Sequence, residues 1–204
     1  MLYSYWRSSS SYRVRIVLNF KNIDYEIRPV HLVKDEQNSD EYKLLNPKGE
    51  VPLLVLEDLA LGQSMAIMMY LDRKWPNPPI FPSNPERRAE CIQLCEVINS
   101  GIQPIQNLKV LKYIEGKIDK MEWGKYWIEE GLKAFENSLA KTASQYCLDD
   151  SLSAADMFLV PQVYNAMRFN VDMEQFPTIK KINENCLEHQ AFKDALPENQ
   201  PDAS

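Results

Sequence analysis

A proline-rich stretch divides this chain of 204 residues into two unequal parts. Residues 75–85 have the sequence WPNPPIFPSNP, with five prolines in eleven positions. Because proline fixes φ and lacks a backbone N–H, such a stretch forms neither an α-helix nor a central strand. It is typical of a semi-rigid connector. We therefore predict one domain at residues 1–75, a linker at residues 76–85 and a second domain at residues 86–204.

The part before the connector alternates extended and helical patterns. Short apolar or alternating runs predict four strands, at residues 2–6, 25–32, 53–56 and 59–61. Pro29 inside the second run favours an edge strand. A helical pattern follows the first strand and can close at Asn22, and another covers residues 64–75. The order β-α-β followed by β-β-α predicts a small mixed sheet covered by helices.

The part after the connector is helical throughout. Apolar residues recur there at steps of three and four positions, which is the helical period. The predicted helices are residues 87–98, 106–114, 121–143, 154–169 and 178–189. Ser153 and Asp156 have the spacing of a capping box at the start of the fourth helix, which is folding information and not a site.

Composition and charge argue against several classes of function. The net charge is −6 and the pI is near 5.1, whereas nucleic-acid and anionic-membrane surfaces need a basic footprint. No apolar run approaches the roughly 18 residues of a membrane span, and no export signal is visible. We therefore expect a cytoplasmic protein that binds neither nucleic acid nor membrane.

The cysteines and histidines have no metal-binding spacing. Cys91 and Cys95 are one helical turn apart, which suits two buried thiols better than half of a zinc site. The two histidines, His31 and His189, are far apart in sequence. We therefore expect no metal centre and no Ser-His-Asp hydrolase.

Four consecutive serines lie between the first strand and the first helix, in the sequence RSSSSYRVR at residues 7–15. Hydroxyls at a helix N-terminus can serve as caps alone. The free N–H groups of that helix end, with Arg7, Arg13 and Arg15 close by in sequence, would also stabilise an anion such as a thiolate or a carboxylate.

Two further segments could hold a ligand. If the bond between Val51 and Pro52 is cis, the backbone of Val51 can pair with an extended peptide; otherwise Pro52 is only the entry to a strand. Gln63 and Ser64 precede a helix, where an amide, a hydroxyl and free N–H groups can receive a carboxylate. Ser64 is also a plausible N-cap, and Gln63 a plausible surface residue.

These elements together resemble the zeta class of glutathione transferases. The matching stretches spread over almost the whole chain, and they are YSYWRSSSSYRVRI, LLNPKGEVPLL, QSMAIMMYL, GIQPIQNLKVLKYI, LSAADMFLVPQVYNAMRFNVD and FPTI. The serine-rich loop, GIQPIQN and LVPQVxNAxRF are specific to this class, whereas the Val-Pro and Gln-Ser elements occur in glutathione transferases generally.

The resemblance implies an α/β thioredoxin-like N-terminal domain that binds glutathione, an all-α C-terminal domain that completes the substrate pocket, and a homodimer. By position, Ser9 resembles the hydroxyl that binds the glutathione sulfur, with Ser8 beside it. Val51 resembles the backbone partner of the cysteinyl unit, with Pro52 cis. The remaining matches are Gln63 and Ser64 at the γ-glutamyl end, Gln103 and Asn107 at pocket positions in the first long helix, and Arg168 as a receiver of a substrate carboxylate.

The activity implied is glutathione-dependent cis–trans isomerisation of maleylacetoacetate in tyrosine and phenylalanine breakdown. Glutathione is the cofactor, and a dicarboxylate diketo acid is the substrate. Among the cations, we favour Arg7 and Arg168 as substrate contacts, with Arg13 third, because Arg13 and Arg15 lie on opposite sides of a helix. One departure from the class is Ser10, which stands where the usual pattern Ser-Ser-Cys-Ser has cysteine. We expect Ser10 to be tolerated, because glutathione itself brings the sulfur.

Three other functions remain open on the sequence. Maleylpyruvate isomerase resembles the same class and uses the same chemistry. A general glutathione transferase or dehalogenase would consume glutathione instead of recycling it. A non-catalytic binding module of the same fold would bind glutathione weakly or not at all.

Overall fold

A mixed four-stranded sheet forms in the first part of the chain. Its strands are β1 (Leu2–Ser4), β2 (Ile27–Pro29), β3 (Leu53–Leu56) and β4 (Leu59–Gly62). Their order in the sheet is β2-β1-β3-β4, with β1 parallel to β2 and β3 antiparallel to both of its neighbours. The strand that contains Pro29 lies at an edge, as predicted, because an edge position tolerates a residue without a backbone donor.

Four helices accompany this sheet, namely α1 (Ser9–Phe20), α2 (Asp40–Leu45), α3 (Ser64–Lys74) and the late α9 (Gln190–Asp194). The first and third were predicted, and Asn22 follows α1 with φ of 52°, the left-handed conformation expected there. The helices α2 and α9 were missed, since six and five residues are too few to show a helical period.

The second part of the chain is helical, as predicted. Its helices are α4 (Pro85–Asn99), α5 (Leu108–Tyr113), α6 (Lys120–Leu139), α7 (Ala154–Arg168) and α8 (Pro177–Glu188). In α6, the fully buried Ile128, Leu132 and Phe135 recur at steps of four and three, so one face of the helix supplies the core. The predicted α6 ended four residues too late, at residue 143.

The start of α7 is the capping box expected from the sequence. The carboxylate of Asp156 accepts hydrogen bonds from the backbone N–H of Ser153 at 2.8 Å and from its hydroxyl at 2.9 Å. It also accepts from the backbone N–H of Cys147 at 2.8 Å. Asp156 is fully buried, so one side chain satisfies interior donors from two segments.

The chain is seen here as a computed structural model that describes residues 1–203, and it divides into two compact units. Unit 1 comprises Met1–Pro78 and the segment from His189 onward, and unit 2 comprises Pro79–Glu188. This differs from the predicted boundaries, which assigned all of residues 86–204 to one helical domain. The physical reason is a set of hydrogen bonds, such as that from Asn19 Nδ2 to the carbonyl of Ala191 at 3.2 Å, which attach the last segment to unit 1.

The proline-rich connector is not a free linker along its whole length. Ile80 and Phe81 are buried in unit 2, where the carbonyl of Ile80 accepts a hydrogen bond from Ala154 at 2.7 Å. Pro78 belongs to unit 1, and its carbonyl accepts from Lys21 Nζ at 2.7 Å. Within the stretch, Pro78 is therefore held in unit 1, and Ile80 and Phe81 are held in unit 2.

No helix within the described residues is both long enough and apolar enough to cross a membrane.

Candidate active site

The segment Ser8–Ser11, called the serine turn below, forms the start of α1. Ser8 is the N-cap, and its hydroxyl oxygen accepts a hydrogen bond from the backbone N–H of Ser11 at 3.2 Å. The first helical backbone bond runs from Tyr12 N–H to the Ser8 carbonyl at 2.9 Å. The N–H groups of Ser9 and Ser10 therefore have no acceptor within the helix, as at any helix start.

The hydroxyls of the serine turn have different environments. Ser8 uses its oxygen as a cap and keeps its O–H proton for another acceptor. The hydroxyl of Ser9, whose residue is 7% exposed, makes no hydrogen bond within residues 1–203. Ser10 is partly exposed, whereas Ser11 is fully buried and its Oγ has no partner there. Hydroxyl donors and helix N–H groups are thus grouped at one helix end, which favours an anion.

Val51 lies in the segment just before β3. Val51 and Trp6 belong to one buried apolar cluster, so the segment before β3 packs with the segment that leads into α1. The Val51–Pro52 peptide bond is cis, as the resemblance implied. Neither the N–H nor the C=O of Val51 forms a hydrogen bond among the described residues, so both can form hydrogen bonds with the backbone of an extended peptide.

Glu50, the residue before Val51, is held by two side chains. Its backbone carbonyl accepts hydrogen bonds from the Tyr42 hydroxyl at 2.8 Å and from Asn46 Nδ2 at 2.7 Å. Burial raises the pKa of Tyr42 to about 12, so its hydroxyl stays protonated and keeps donating. The backbone next to Val51 is therefore fixed by two side chains.

The start of α3 has an unusual backbone. Gln63 has φ of 67° and ψ of 114°, a conformation that costs a non-glycine residue about 1–3 kcal/mol and that clusters at ligand sites. Gln63 occupies the N-cap position, so the prediction that Ser64 is the N-cap was wrong by one residue. The first helical bond joins Ile67 N–H to the Gln63 carbonyl at 3.0 Å, which leaves the N–H groups of residues 64–66 without helical acceptors.

Two of the three arginines near the serine turn, Arg7 and Arg13, lie in different environments. Arg7 is partly exposed, donates to the Tyr5 hydroxyl at 3.2 Å and stacks on the Trp6 ring at 4.6 Å. Arg13 is fully buried and donates from Nη1 to Ser64 Oγ at 3.1 Å. This burial does not support Arg13 as a direct substrate contact, and its visible role is to join α1 to the first residue of α3.

Unit 2 carries the other predicted site residues. Gln103 lies in the turn after α4, and Asn107 is the N-cap of α5 with its side-chain oxygen accepting from Lys109 N–H at 3.1 Å. Both had been predicted to lie in the first long helix. Neither does, because α4 ends at residue 99. Trp123 Nε1 donates to the Ile105 carbonyl at 3.0 Å and so anchors the turn to α6.

Arg168 is the last residue of α7 and is exposed. Its Nη1 donates to Asn165 Oδ1 at 3.2 Å, one helical turn earlier. An exposed guanidinium held at one end by an amide is suited to a planar carboxylate.

A buried amide pair near this turn was not predicted from the sequence. Gln106 Nε2 donates to Gln162 Oε1 at 3.0 Å, and both side chains are almost fully buried. Gln106 Oε1 and Gln162 Nε2 have no partner within residues 1–203. The only available signal was a glutamine in the middle of the otherwise apolar run LVPQV of α7.

All four cysteines are buried, and none forms a disulfide bond. Among the described residues, no group of three or more His, Cys, Asp or Glu side chains is arranged to hold a metal ion.

Comparisons with known proteins give the family of this chain. A family model for the N-terminal domain of glutathione S-transferases matches residues 1–73. The maleylacetoacetate isomerase of Rattus norvegicus is 47% identical over 204 residues, which cover 99% of this chain and 94% of that protein.

Two solved structures are similar over the whole chain. The holo structure of a maleyl pyruvate isomerase, described as a bacterial glutathione S-transferase of the zeta class, has a TM-score of 0.97 and 37% identity, covering 100% of this chain and 99% of that one. A maleylacetoacetate isomerase from Anaeromyxobacter dehalogenans 2CP-1 with GSH bound in its active site has a TM-score of 0.92 and 41% identity, covering 100% and 97%. With relatives this similar over nearly their full length, and with a serine turn at the start of α1, this chain belongs to the zeta class of the glutathione transferase family.

Proposed function

We propose that this protein is a glutathione-dependent enzyme that isomerises maleylacetoacetate to fumarylacetoacetate, a step of tyrosine and phenylalanine breakdown. The observation that carries the proposal is the serine turn, where the Ser9 hydroxyl and two helix N–H groups have no partner within residues 1–203. The curated relatives named for this activity, at 46–47% identity, support the choice of substrate.

Unit 1 has the groups that an extended tripeptide thiol requires. The free N–H and C=O of Val51 would pair with the backbone of the cysteinyl residue. Gln63, Ser64 and the free N–H groups of α3 would receive the γ-glutamyl carboxylate, because a helix N-terminus favours an anion. We assign Ser8, Ser9 and Ser10 to the sulfur, and Gln103 and Asn107 of unit 2 as further contacts to glutathione.

When bound, glutathione supplies a sulfur nucleophile that adds to a conjugated alkene carbon, allows rotation about the resulting single bond, and leaves again. The contribution of this chain is to keep that sulfur ionised. A free thiol has a pKa of about 8.5, and each unit of lowering needs about 1.4 kcal/mol of preferential thiolate stabilisation. A single hydroxyl donor at about 1.5–3 kcal/mol lowers the pKa by about one to two units. The start of α1 adds up to about 1 kcal/mol.

Arginines would bind the dicarboxylate and balance the charge that develops on it. Arg168 is an exposed residue and Arg7 is partly exposed, so both can contact a carboxylate of the substrate. Arg13 is not included, because it is buried against Ser64. Ser10 is expected to be tolerated at the position where the class usually has cysteine, since the nucleophilic sulfur does not come from the chain.

Maleylpyruvate is the second candidate substrate, and a specific observation favours it. A maleyl pyruvate isomerase of the same class is among the solved structures that are similar over the whole chain, at 37% identity. The test supplies each diketo acid with glutathione to the pure protein and follows loss of the cis isomer. We expect kcat/KM to be at least tenfold higher for maleylacetoacetate, and the reverse order would replace the proposed substrate.

The same assay separates isomerisation from other uses of glutathione. An isomerase regenerates glutathione, so its concentration stays constant while many equivalents of substrate are converted. A conjugating or dehalogenating transferase depletes glutathione in proportion to product. A binding module gives no turnover with either diketo acid.

Localisation and assembly complete the proposal. We propose a cytoplasmic homodimer, as the family resemblance implies. Light scattering of the purified protein would give twice the mass of one chain, and a monomer mass would contradict this part.

A further inference from the structure

The backbone of Trp6, two residues before the serine turn, is held on both sides by charged side chains. Its N–H donates to Asp202 Oδ2 at 3.0 Å, and its C=O accepts from Arg15 Nη2 at 3.0 Å. Asp202 is 196 positions away in sequence, in the last segment of unit 1. We call this pair of side chains, Asp202 and Arg15, the Trp6 clamp.

Arg15 connects three parts of unit 1. Besides the Trp6 carbonyl, it donates from Nη1 to Ser4 Oγ at 3.2 Å and from Nε and Nη2 to the Ala195 carbonyl at 3.2 and 3.1 Å. Arg15 is fully buried, and burial lowers its pKa from 12.5 to about 10, so it stays protonated at neutral pH. One buried cation therefore joins the end of β1, the segment before the serine turn and the C-terminal segment.

The C-terminal segment is itself fixed in place. Gln200 is buried, and its Nε2 donates to the carbonyls of Asp194 and Leu196 at 3.0 and 2.8 Å. Asp202 Oδ1 is buried and has no hydrogen-bond partner within residues 1–203. An unsatisfied buried oxygen costs free energy, so stability alone does not explain a carboxylate here.

The clamped residue leads directly into the turn that carries the hydroxyls. The N–H of Ser8 bonds to the Tyr5 carbonyl at 2.9 Å, which ties the serine turn to the residue just before Trp6. A displacement of about 1 Å at a reacting group can cost about 100-fold in rate. The position of Trp6 therefore bears on the distance between the Ser9 hydroxyl and a bound sulfur.

We propose that Asp202 and Arg15 are positioning residues for the serine turn. They hold the Trp6 backbone from both sides, so that the C-terminal segment sets the geometry in which Ser8 and Ser9 donate to the sulfur. This inference rests on the proposed function, because it deepens the role given there to the serine turn.

The test compares Asp202→Ala with a matched control, Asn199→Ala, in the full chain. Asn199 lies in the same segment and donates to the Lys193 carbonyl at 2.8 Å, away from the clamp. Two readouts are followed: the pKa of the glutathione thiol in the complex, from thiolate absorbance, and hydrogen exchange of the peptide covering residues 5–12 without glutathione. Thermal unfolding checks that each variant folds.

For Asp202→Ala, we expect the thiol pKa to rise by about 0.5–1 unit, with kcat/KM at neutral pH falling about 3–10-fold and recovering at higher pH. Hydrogen exchange in residues 5–12 accelerates. In Asp202→Asn, the thiol pKa and the hydrogen exchange stay close to the wild-type values, because an amide oxygen still accepts the hydrogen bond from the Trp6 N–H. Asn199→Ala stays within twofold of the wild type.

A folded Asp202→Ala variant that has the same thiol pKa and the same hydrogen exchange as the wild type would overturn the proposed role of the Trp6 clamp. If that variant does not fold, Asp202→Glu carries the test, since its longer side chain displaces the acceptor, and wild-type values there would overturn the clamp equally. A wild-type protein that fails to lower the thiol pKa would instead contradict the proposed function and the clamp together.

Discussion

Two adjacent serines of the serine turn have different tasks. The hydroxyl oxygen of Ser8 caps α1, whereas the hydroxyl of Ser9 has no hydrogen-bond partner in residues 1–203. Residue type and local pattern leave the two equivalent, because both are serines at a helix start, and only the resemblance to the zeta class singled out Ser9. The backbone geometry of the N-cap separates them.

Arg168 allows a prediction at the scale of a single residue. Arg168→Ala removes the guanidinium that we propose as the receiver of a substrate carboxylate. Such a charged hydrogen bond is worth about 1.5–3 kcal/mol, so we expect kcat/KM to fall about 10–100-fold. Because Arg168 does not act on the sulfur, the thiol pKa of bound glutathione stays unchanged. Steady-state kinetics and thiolate absorbance measure the two effects.

Arg168→Lys and Arg28→Ala are the controls for that prediction. Lysine keeps the charge but loses the planar fork, so it recovers only part of the rate. Arg28 is an exposed arginine paired with Glu26 at 2.9 Å, and its loss leaves the rate unchanged. An equal loss for Arg168→Ala and Arg28→Ala would contradict the assignment.

Arginine burial shows what single-residue reasoning misses. Arg7, Arg13 and Arg15 are alike in sequence, and helical spacing correctly placed Arg13 and Arg15 on different sides of α1. It could not show that both are fully buried, since their partners Ser64 and Ala195 come from distant segments.

At the scale of elements, the long helices could be predicted from apolar spacing and capping signals. The capping box of α7 and the edge strand β2 are confirmed for the reasons given. The short helices α2 and α9 could not be predicted, because their formation depends on caps such as Ser39 and His189 and not on a period.

Asp156 gives a prediction for the start of α7. Asp156→Ala leaves buried donors of Ser153 and Cys147 without an acceptor, which costs about 1–3 kcal/mol for each group. We therefore expect the free energy of unfolding to fall by about 3 kcal/mol or more, measured by urea denaturation.

The matched control is Asp119→Ala at the exposed start of α6. Asp119 also accepts two backbone hydrogen bonds, each 2.8 Å long, but from exposed donors that water can satisfy. Its loss should cost about 1 kcal/mol. Equal costs at the two sites would show that burial of the Asp156 network does not matter.

At the scale of the whole molecule, the division into units was only partly predictable. The division between the two units falls between Pro78 and Pro79, inside the proline-rich connector. The return of the chain to unit 1 after residue 188 could not be foreseen, because it depends on contacts such as Asp202 to Trp6 across 196 positions. Spacing patterns carry no information at that distance.

Buried thiols predict how the stability of the protein depends on alkaline pH. Burial raises the pKa of Cys147 and Cys186 above the ordinary value of 9.0, and the nearby Asp156 adds to this. Above pH 9 the unfolded chain therefore loses protons that the folded protein keeps. Stability falls as pH rises, by up to about 1.4 kcal/mol per pH unit for each thiol.

Other groups modify this slope. The raised pKa of Tyr42, about 12, acts in the same direction above pH 10, whereas the lowered pKa of Arg15, about 10, acts in the opposite direction. The pKa of Cys91 is lowered from 9.0, mainly by a hydrogen bond with Cys95, so this thiol also acts in the opposite direction as pH rises towards 9. Urea denaturation in the presence of a reductant at pH 8, 9 and 10 measures the net change in the free energy of unfolding that these groups produce. Cys186→Ala should make the decline shallower, and an unchanged slope would contradict the account.

The central claim is that the serine turn holds the sulfur of glutathione as a thiolate. The most direct measurement is the thiol pKa in the complex, by thiolate absorbance, for the wild type and for Ser9→Ala. We predict a wild-type pKa about one to two units below the free value of about 8.5, and a return of about one unit or more in Ser9→Ala. A thiol that titrates in the wild-type complex as it does in free glutathione would contradict the claim.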